Sequence, residues 1–169
     1  MFVTGGNTTI SVAGNGGSYT NTQGVADTYS ATCIKADVSV VISAGTVSLT
    51  ASGTDSRGIS CDGIVEISDN ADVEIIASGQ EAKGIKSDTN INILGGNLTM
   101  TLSGKVSKGL KADSQVNITA GTININATGS NLTTSSDESH CIGIKSEGTV
   151  NISGGVIGIT LSSATGGAK

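Results

Sequence analysis

Proline and tryptophan are absent from this 169-residue chain, and its aromatic side chains amount to one phenylalanine and two tyrosines. A chain of this length can bury a sizeable core, but here Ile, Val, Leu and Ala have to fill it. An interior almost without rings suits a narrow, regular cross-section better than a rounded one. No run of 18 apolar residues occurs, so nothing is expected to span a membrane. Residues 1–6, MFVTGG, have neither the charged n-region nor the apolar h-region of a signal peptide. The chain begins and ends inside its own repeat pattern, which reads as a piece of a longer protein. Histidine occurs once, as His140, next to one of three cysteines, Cys33, Cys61 and Cys141. A lone His beside a Cys in a loop is a poor candidate for catalysis or metal binding. Cys141 lies three repeats from Cys33, beyond the roughly 7 Å between α-carbons that a disulfide allows, so free thiols are expected. The Asn-X-Ser/Thr matches at Asn7, Asn97, Asn117, Asn126, Asn131 and Asn151 follow from composition and imply no glycosylation.

Abundant instead are glycine, with 25 residues, and Ser, Thr, Asn and β-branched residues, which favour strands and turns. Five segments align: TCIKAD (32–37), RGISCD (57–62), KGIKSD (83–88), KGLKAD (108–113) and IGIKSE (142–147). Their central residues, Ile34, Ile59, Ile85, Leu110 and Ile144, are spaced by 25, 26, 25 and 34 positions. An alternating run, a small-residue turn and a second alternating run follow each segment. The turns are Ala44-Gly45, Asn70-Ala71, Gly95-Gly96, Ala120-Gly121 and Gly154-Gly155. A partial coil precedes them, since GGNTTISVAG (5–14) parallels GGNLTMTLSG (95–104). A fixed period through most of a chain is the mark of stacked repeats. An antiparallel sandwich would need hairpin turns and no fixed period.

Strand parity then assigns the core. Ile85 and Ser87 point inward, Lys86 and Asp88 outward, and the second inward site is small throughout: Ala36, Cys61, Ser87, Ala112, Ser146. The runs that follow contribute pairs such as Val40 and Ile42 or Ile91 and Ile93, then Val47, Leu49 and Ala51 or Leu98, Met100 and Leu102. The last coil should contribute Val150, Ile152, Ile157, Ile159 and Leu161. The expected fold is all-β, a right-handed parallel β-helix of about six coils, with three short strands per coil building three sheets. Residues 1–169 form one such domain. Two insertions, 15–31 and 130–140, interrupt the period. They should emerge as loops at a coil corner, either tolerated or forming a binding face; both tyrosines, Tyr19 and Tyr29, fall in the first.

The outward positions form two ladders, Lys35–Ser60–Lys86–Lys111–Lys145 and Asp37–Asp62–Asp88–Asp113–Glu147. Most of this pattern is a solvated ion-pair lattice worth tenths of a kcal/mol per pair. The lattice breaks at Ser60. Residues 54–79 hold six carboxylates against Arg57 alone, a net charge of −5, which equals that of the whole chain. Carboxylates in a column can share a Ca²⁺, which takes about 6–8 oxygens, so Asp37, Asp62, Asp88 and Glu66 are a candidate calcium set. Residues 80–129 carry a net +2. Arg57, Lys83 and Lys108 occupy one position in three successive coils. With Lys86, Lys111 and the two tyrosines they form a candidate surface for a polysaccharide, an acidic uronate chain above all, with calcium bridging carboxylates. An acidic chain without a stacking aromatic platform does not fit nucleic acid.

The unit GIKSD-x₂-INI-x-GG-x-LTMTLSG, with its TCIKAD and GISCD variants, resembles the bacterial secreted carbohydrate-binding β-helix proteins over most of residues 32–161. That resemblance implies a polysaccharide-lyase-like fold, secretion or display at the cell surface, bound calcium on the acidic column Asp37, Asp62 and Asp88, and adhesion to cellulose- or pectin-type glycans. The expected function is therefore a non-catalytic carbohydrate-binding module. A polysaccharide lyase using Lys86 or Lys111 as base is the alternative, although a catalytic constellation is normally unique and these residues recur. A structural stalk or adhesin is the second alternative. Ice binding fits poorly, because the outward sites vary among Thr, Asn, Glu and Gly.

Overall fold

The computed structural model describes residues 1–133 and 138–162, and every regular element among them is a β-strand. The chain opens with β1 (Phe2–Val12), and an antiparallel hairpin follows, β2 (Gly17–Thr20) and β3 (Ala26–Tyr29). Short and long strands then alternate. The short ones are β4 (Thr32–Ala36), β6 (Arg57–Cys61), β8 (Lys83–Ser87) and β10 (Lys108–Ala112). The long ones are β5 (Ser39–Ala51), β7 (Ile64–Ala77), β9 (Asn90–Leu102) and β11 (Gln115–Ala127). After a small antiparallel pair, β12 (Leu132–Thr133) and β13 (Glu138–Ser139), come the short β14 (Ile142–Ser146) and then β15 (Thr149–Ile152) and β16 (Val156–Leu161). No helix is long and apolar enough to cross a membrane among the described residues.

Two parallel sheets result. One runs β14-β10-β8-β6-β4; the other runs β1-β5-β7-β9-β11-β15, with β16 also pairing β11. Equivalent residues of successive repeats face each other: Ile34 pairs Ile59, Ile59 pairs Ile85, Ile85 pairs Leu110, and Leu110 pairs Ile144. The three-sheet expectation is corrected here. In four repeats the second and third runs form one continuous strand of 13 or 14 residues, bent at the small-residue turn where the register shifts. The bend needs a left-handed residue, and Gly45, Gly96 and Gly121 supply it with φ of 85°, 72° and 91°. In the 26-residue repeat Asp69 does so instead, at φ 49°, and the extra residue is absorbed there. Only β15 and β16 stay separate.

The inward positions assigned by parity are buried in the middle of the stack, from Ile34 and Val40 through Ile59, Ile85 and Met100 to Ile125. Each large aliphatic side chain contributes about 2 kcal/mol of burial. Ser87 is tolerated in this core because its hydroxyl donates to Gly63 O at 2.6 Å and lies 3.1 Å from both Asn90 O and Thr89 N. In the last described layer the assigned residues keep their register, Val150 on Val116, Ile152 on Ile118 and Ile157 on Ile123, but are covered on one side only. Val150, Ile152 and Ile159 are 44%, 56% and 40% exposed, since no described strand stacks beyond β15 and β16. The three thiols are free, as expected.

The corners are as tightly stacked as the strands. Ser78 N donates to Ala51 O, and Ser103 N to Ala77 O, at 3.0 and 3.1 Å. The next residue in each repeat is a glycine, and a Cβ on Gly79 would stand 1.8 Å from Gly53 O. Backbone cannot yield that space without breaking the stack. Gly79→Ala is therefore expected to cost about 3 kcal/mol in denaturant unfolding, while Ser78→Ala, exposed next door, changes stability by less than about 0.5 kcal/mol.

Candidate functional site

The outer face of the five-stranded sheet carries the charges. Lys35 pairs with Asp62, and Lys86 with Asp88. Lys86 also approaches Asp113 at 3.7 Å; Lys111 stands 2.8 Å from Asp113 and 4.0 Å from Glu147; and Lys145 is 2.9 Å from Glu147. Lysines thus bridge carboxylates within a layer and between layers. At the break, Ser60 is only 3% exposed. The Arg57 guanidinium reaches into the lysine's place, with Nη1 3.3 Å from Ser60 Oγ. Burial lowers the Lys86 pKa, and Arg57 and Lys111 lower it further against the opposing pull of Asp113.

The candidate calcium set does not come together. Among the described residues no three His, Cys, Asp or Glu side chains form a group that could hold a metal ion. Asp62 and Asp88 are each engaged by an ammonium, and Asp37 is exposed without an ion pair among the described residues. Glu66 belongs to the other sheet, where β7 sets it between Val41 and Asn92. Parity alone could not separate the two sheets. The arrangement does not fit calcium.

The first insertion is a structured hairpin standing beside this face. Its root is clamped to the next repeat's corner: Gly16 N donates to Thr54 O at 2.7 Å, Thr54 N to Asn15 Oδ1 at 2.9 Å, and Arg57 N to Ala31 O at 2.8 Å. Asp55 is the centre of the clamp. It accepts from Ser30 Oγ at 2.8 Å and from Lys83 Nζ at 2.5 Å, with Arg57 Nη2 at 3.7 Å. Burial favours its neutral form, but the Lys83 and Ser30 hydrogen bonds and the two cations outweigh that and hold its pKa below the usual carboxylate value. Within the hairpin, Tyr19 donates to Asp27 Oδ2 at 2.9 Å, and the two tyrosine rings lie 6.3 Å apart, tilted by 51°. The Thr28 N–H and Tyr19 together lower the Asp27 pKa.

A cleft of about 680 Å³ opens between hairpin and sheet. Asp27, Thr28, Tyr29 and Ser30 line one side; Thr32, Lys35, Arg57, Ser60, Asp62 and Asp88 line the other. Of the candidate glycan-binding residues, Arg57 and Tyr29 face it, and Tyr19 does not line it but braces Asp27. Lys83 and Lys108 continue the Arg57 column layer by layer. Lys86 and Lys111 are tied into the ion-pair lattice. Lys108 is half-buried, which together with Lys83 and Lys145 lowers its pKa, and it makes no ion pair among the described residues. The sequence marks Lys35 only as a member of the lysine ladder and Asp27 and Ser30 only as part of the 15–31 insertion, while Asp55 carries no signal beyond its place in the acidic 54–79 stretch.

Polar donors and acceptors around an exposed ring are the usual means of holding sugar hydroxyls and the apolar face of a pyranose. The family described as carbohydrate-binding domain-containing protein matches residues 54–168. The chain belongs to this family. The match supports a carbohydrate-binding role and covers the corner, the cation column and the acidic ladder from Asp62 onward, while the hairpin lies before it. No curated protein and no solved structure matches the chain.

The Asp55 clamp has a pH signature. A carboxylate whose pKa is depressed on folding stabilises fully above its unfolded value of about 4 and loses that contribution as pH falls through the folded value. Asp55→Asn is expected to cost about 2 kcal/mol at pH 7. In thermal melts, the gap between wild type and this variant narrows as pH falls below about 4.

Proposed function

We propose that this carbohydrate-binding protein holds an acidic polysaccharide along the outer face of the five-stranded sheet and does not cleave it. The single observation that carries the reading is the column Arg57–Lys83–Lys108. Three cations stand in successive layers about 4.8 Å apart, a spacing close to one sugar residue of an extended chain. The last of them makes no ion pair among the described residues. A chain with one carboxylate per sugar could meet Lys108 directly and share Lys83 and Arg57 with Asp55. We further infer that the stacked repeats wind as a right-handed parallel β-helix, which keeps the column straight, and that the protein works at the cell surface or after secretion, where such polymers are found.

Binding without cleavage follows from repetition. Lys86 and Lys111 recur with the same carboxylate partners, so neither forms a unique constellation of base and electrophile. Calcium is not required by this reading, because Lys35 and Lys86 already balance Asp62 and Asp88. A calcium-assisted form would have the ion displace one of these ammonium groups, and heat in a calorimetric titration with Ca²⁺ would restore it.

Polygalacturonate binding measured by calorimetry tests the reading. Lys108→Ala is expected to weaken it about tenfold, or roughly 1.4 kcal/mol, and raising salt from 50 to 500 mM weakens the wild type as well. No ultraviolet-absorbing unsaturated product forms. Equal binding of neutral and acidic polymers, or no effect of Lys108→Ala, overturns the acidic assignment.

A further inference from the structure

We infer that the cleft under the hairpin recognises the end of a polysaccharide chain, so that the protein is a terminus binder. This rests on the reading that a glycan lies along the cation column. The column begins with Arg57 on β6 and runs through β8 to β10, away from the hairpin. The hairpin stands at the Arg57 end. The cleft at that junction is lined by the first three layers (Thr32 and Lys35, then Arg57, Ser60 and Asp62, then Asp88) and walled by Asp27 to Ser30. A polymer following the column past Arg57 meets that wall.

The wall is built to hold its position. Its root has backbone bonds to Thr54 and Arg57 and the Ser30–Asp55 bond, and the Tyr29 ring packs so closely over Gly17 that a Cβ there would lie 2.8 Å from the tyrosine oxygen. Its chemistry suits a terminus. Asp27 is engaged by Tyr19 and the Thr28 N–H but by no cation among the described residues. A carboxylate accepts hydrogen bonds only, so it can take the extra hydroxyl that distinguishes a terminal sugar from an internal one. The same charge repels a further uronate beyond that point. Tyr29, 54% exposed, offers its ring to the terminal pyranose, and Arg57, with five N–H donors, has some left after Ser60 and Asp55. The volume is large enough for a small ligand such as a terminal sugar.

The experiment measures how many protein molecules bind per chain of size-graded oligogalacturonates and of long polygalacturonate. End recognition gives one protein per chain at every length, with similar affinity per chain once the column is covered. A number bound that rises with chain length overturns the inference and leaves the acidic-glycan reading intact; no binding to any of these ligands overturns both. Asp27→Asn and Tyr29→Ala, both at exposed positions, are expected to weaken oligogalacturonate binding about tenfold while the strand core stays folded by circular dichroism. Replacing residues 17–29 by a short Gly-Ser turn is expected to make the number bound rise with chain length. Unaltered affinity in both point variants also overturns the inference.

Discussion

Hydrogen bonding between equivalent residues of successive repeats sets the spacing of the core and of the charged face of this protein. Because Ile59 faces Ile85 and Ser60 faces Lys86, whatever the sequence writes at one position of each repeat becomes a column at a fixed pitch. The core is one set of such columns and the charged face another. Neither can be adjusted alone, since a one-residue slip would turn both inside out. Close backbone approach at the corners, where Gly79 lies under Gly53, makes the pitch rigid.

That constraint explains why interruptions matter more than the repeats. A regular ladder of lysine and aspartate mostly neutralises itself, and exposed pairs of this kind contribute little stability. Ser60 removes one cation from the ladder, Arg57 swings across to cover the gap, and Lys83 is drawn to Asp55 below. The displaced charges reorganise around the root of the hairpin. The cleft and the cation column then meet in one place, on a face that would otherwise be a uniform lattice.

The fold and the site were legible to different degrees. The period, the inward columns and the free cysteines could be read directly, because alternation and spacing are local properties. The continuity of long strands through a bent turn could not, since a register shift depends on the neighbouring layer. Nor could exposure of Val150 and Ile152, which have the right parity but no described strand beyond them. The separation of the four candidate calcium residues could not be read either, because Asp62 and Glu66 are four residues apart in sequence yet Glu66 belongs to the other sheet. The partners that neutralise Asp62 and Asp88 come from Lys35 in the preceding layer and from Lys86 two residues away.

The sequence alone determined the stack: small and β-branched residues at a 25-residue period leave parallel layering as the arrangement that buries every inward side chain. It also marked Ser60 as the break in the outward ladder. Only the tertiary structure decided what fills that break, because the 15–31 insertion has no periodicity to read and its place is fixed by contacts to Thr54, Asp55 and Arg57, a full repeat away in sequence. Burial patterns are written locally along a strand, whereas a cleft is a relation between distant segments.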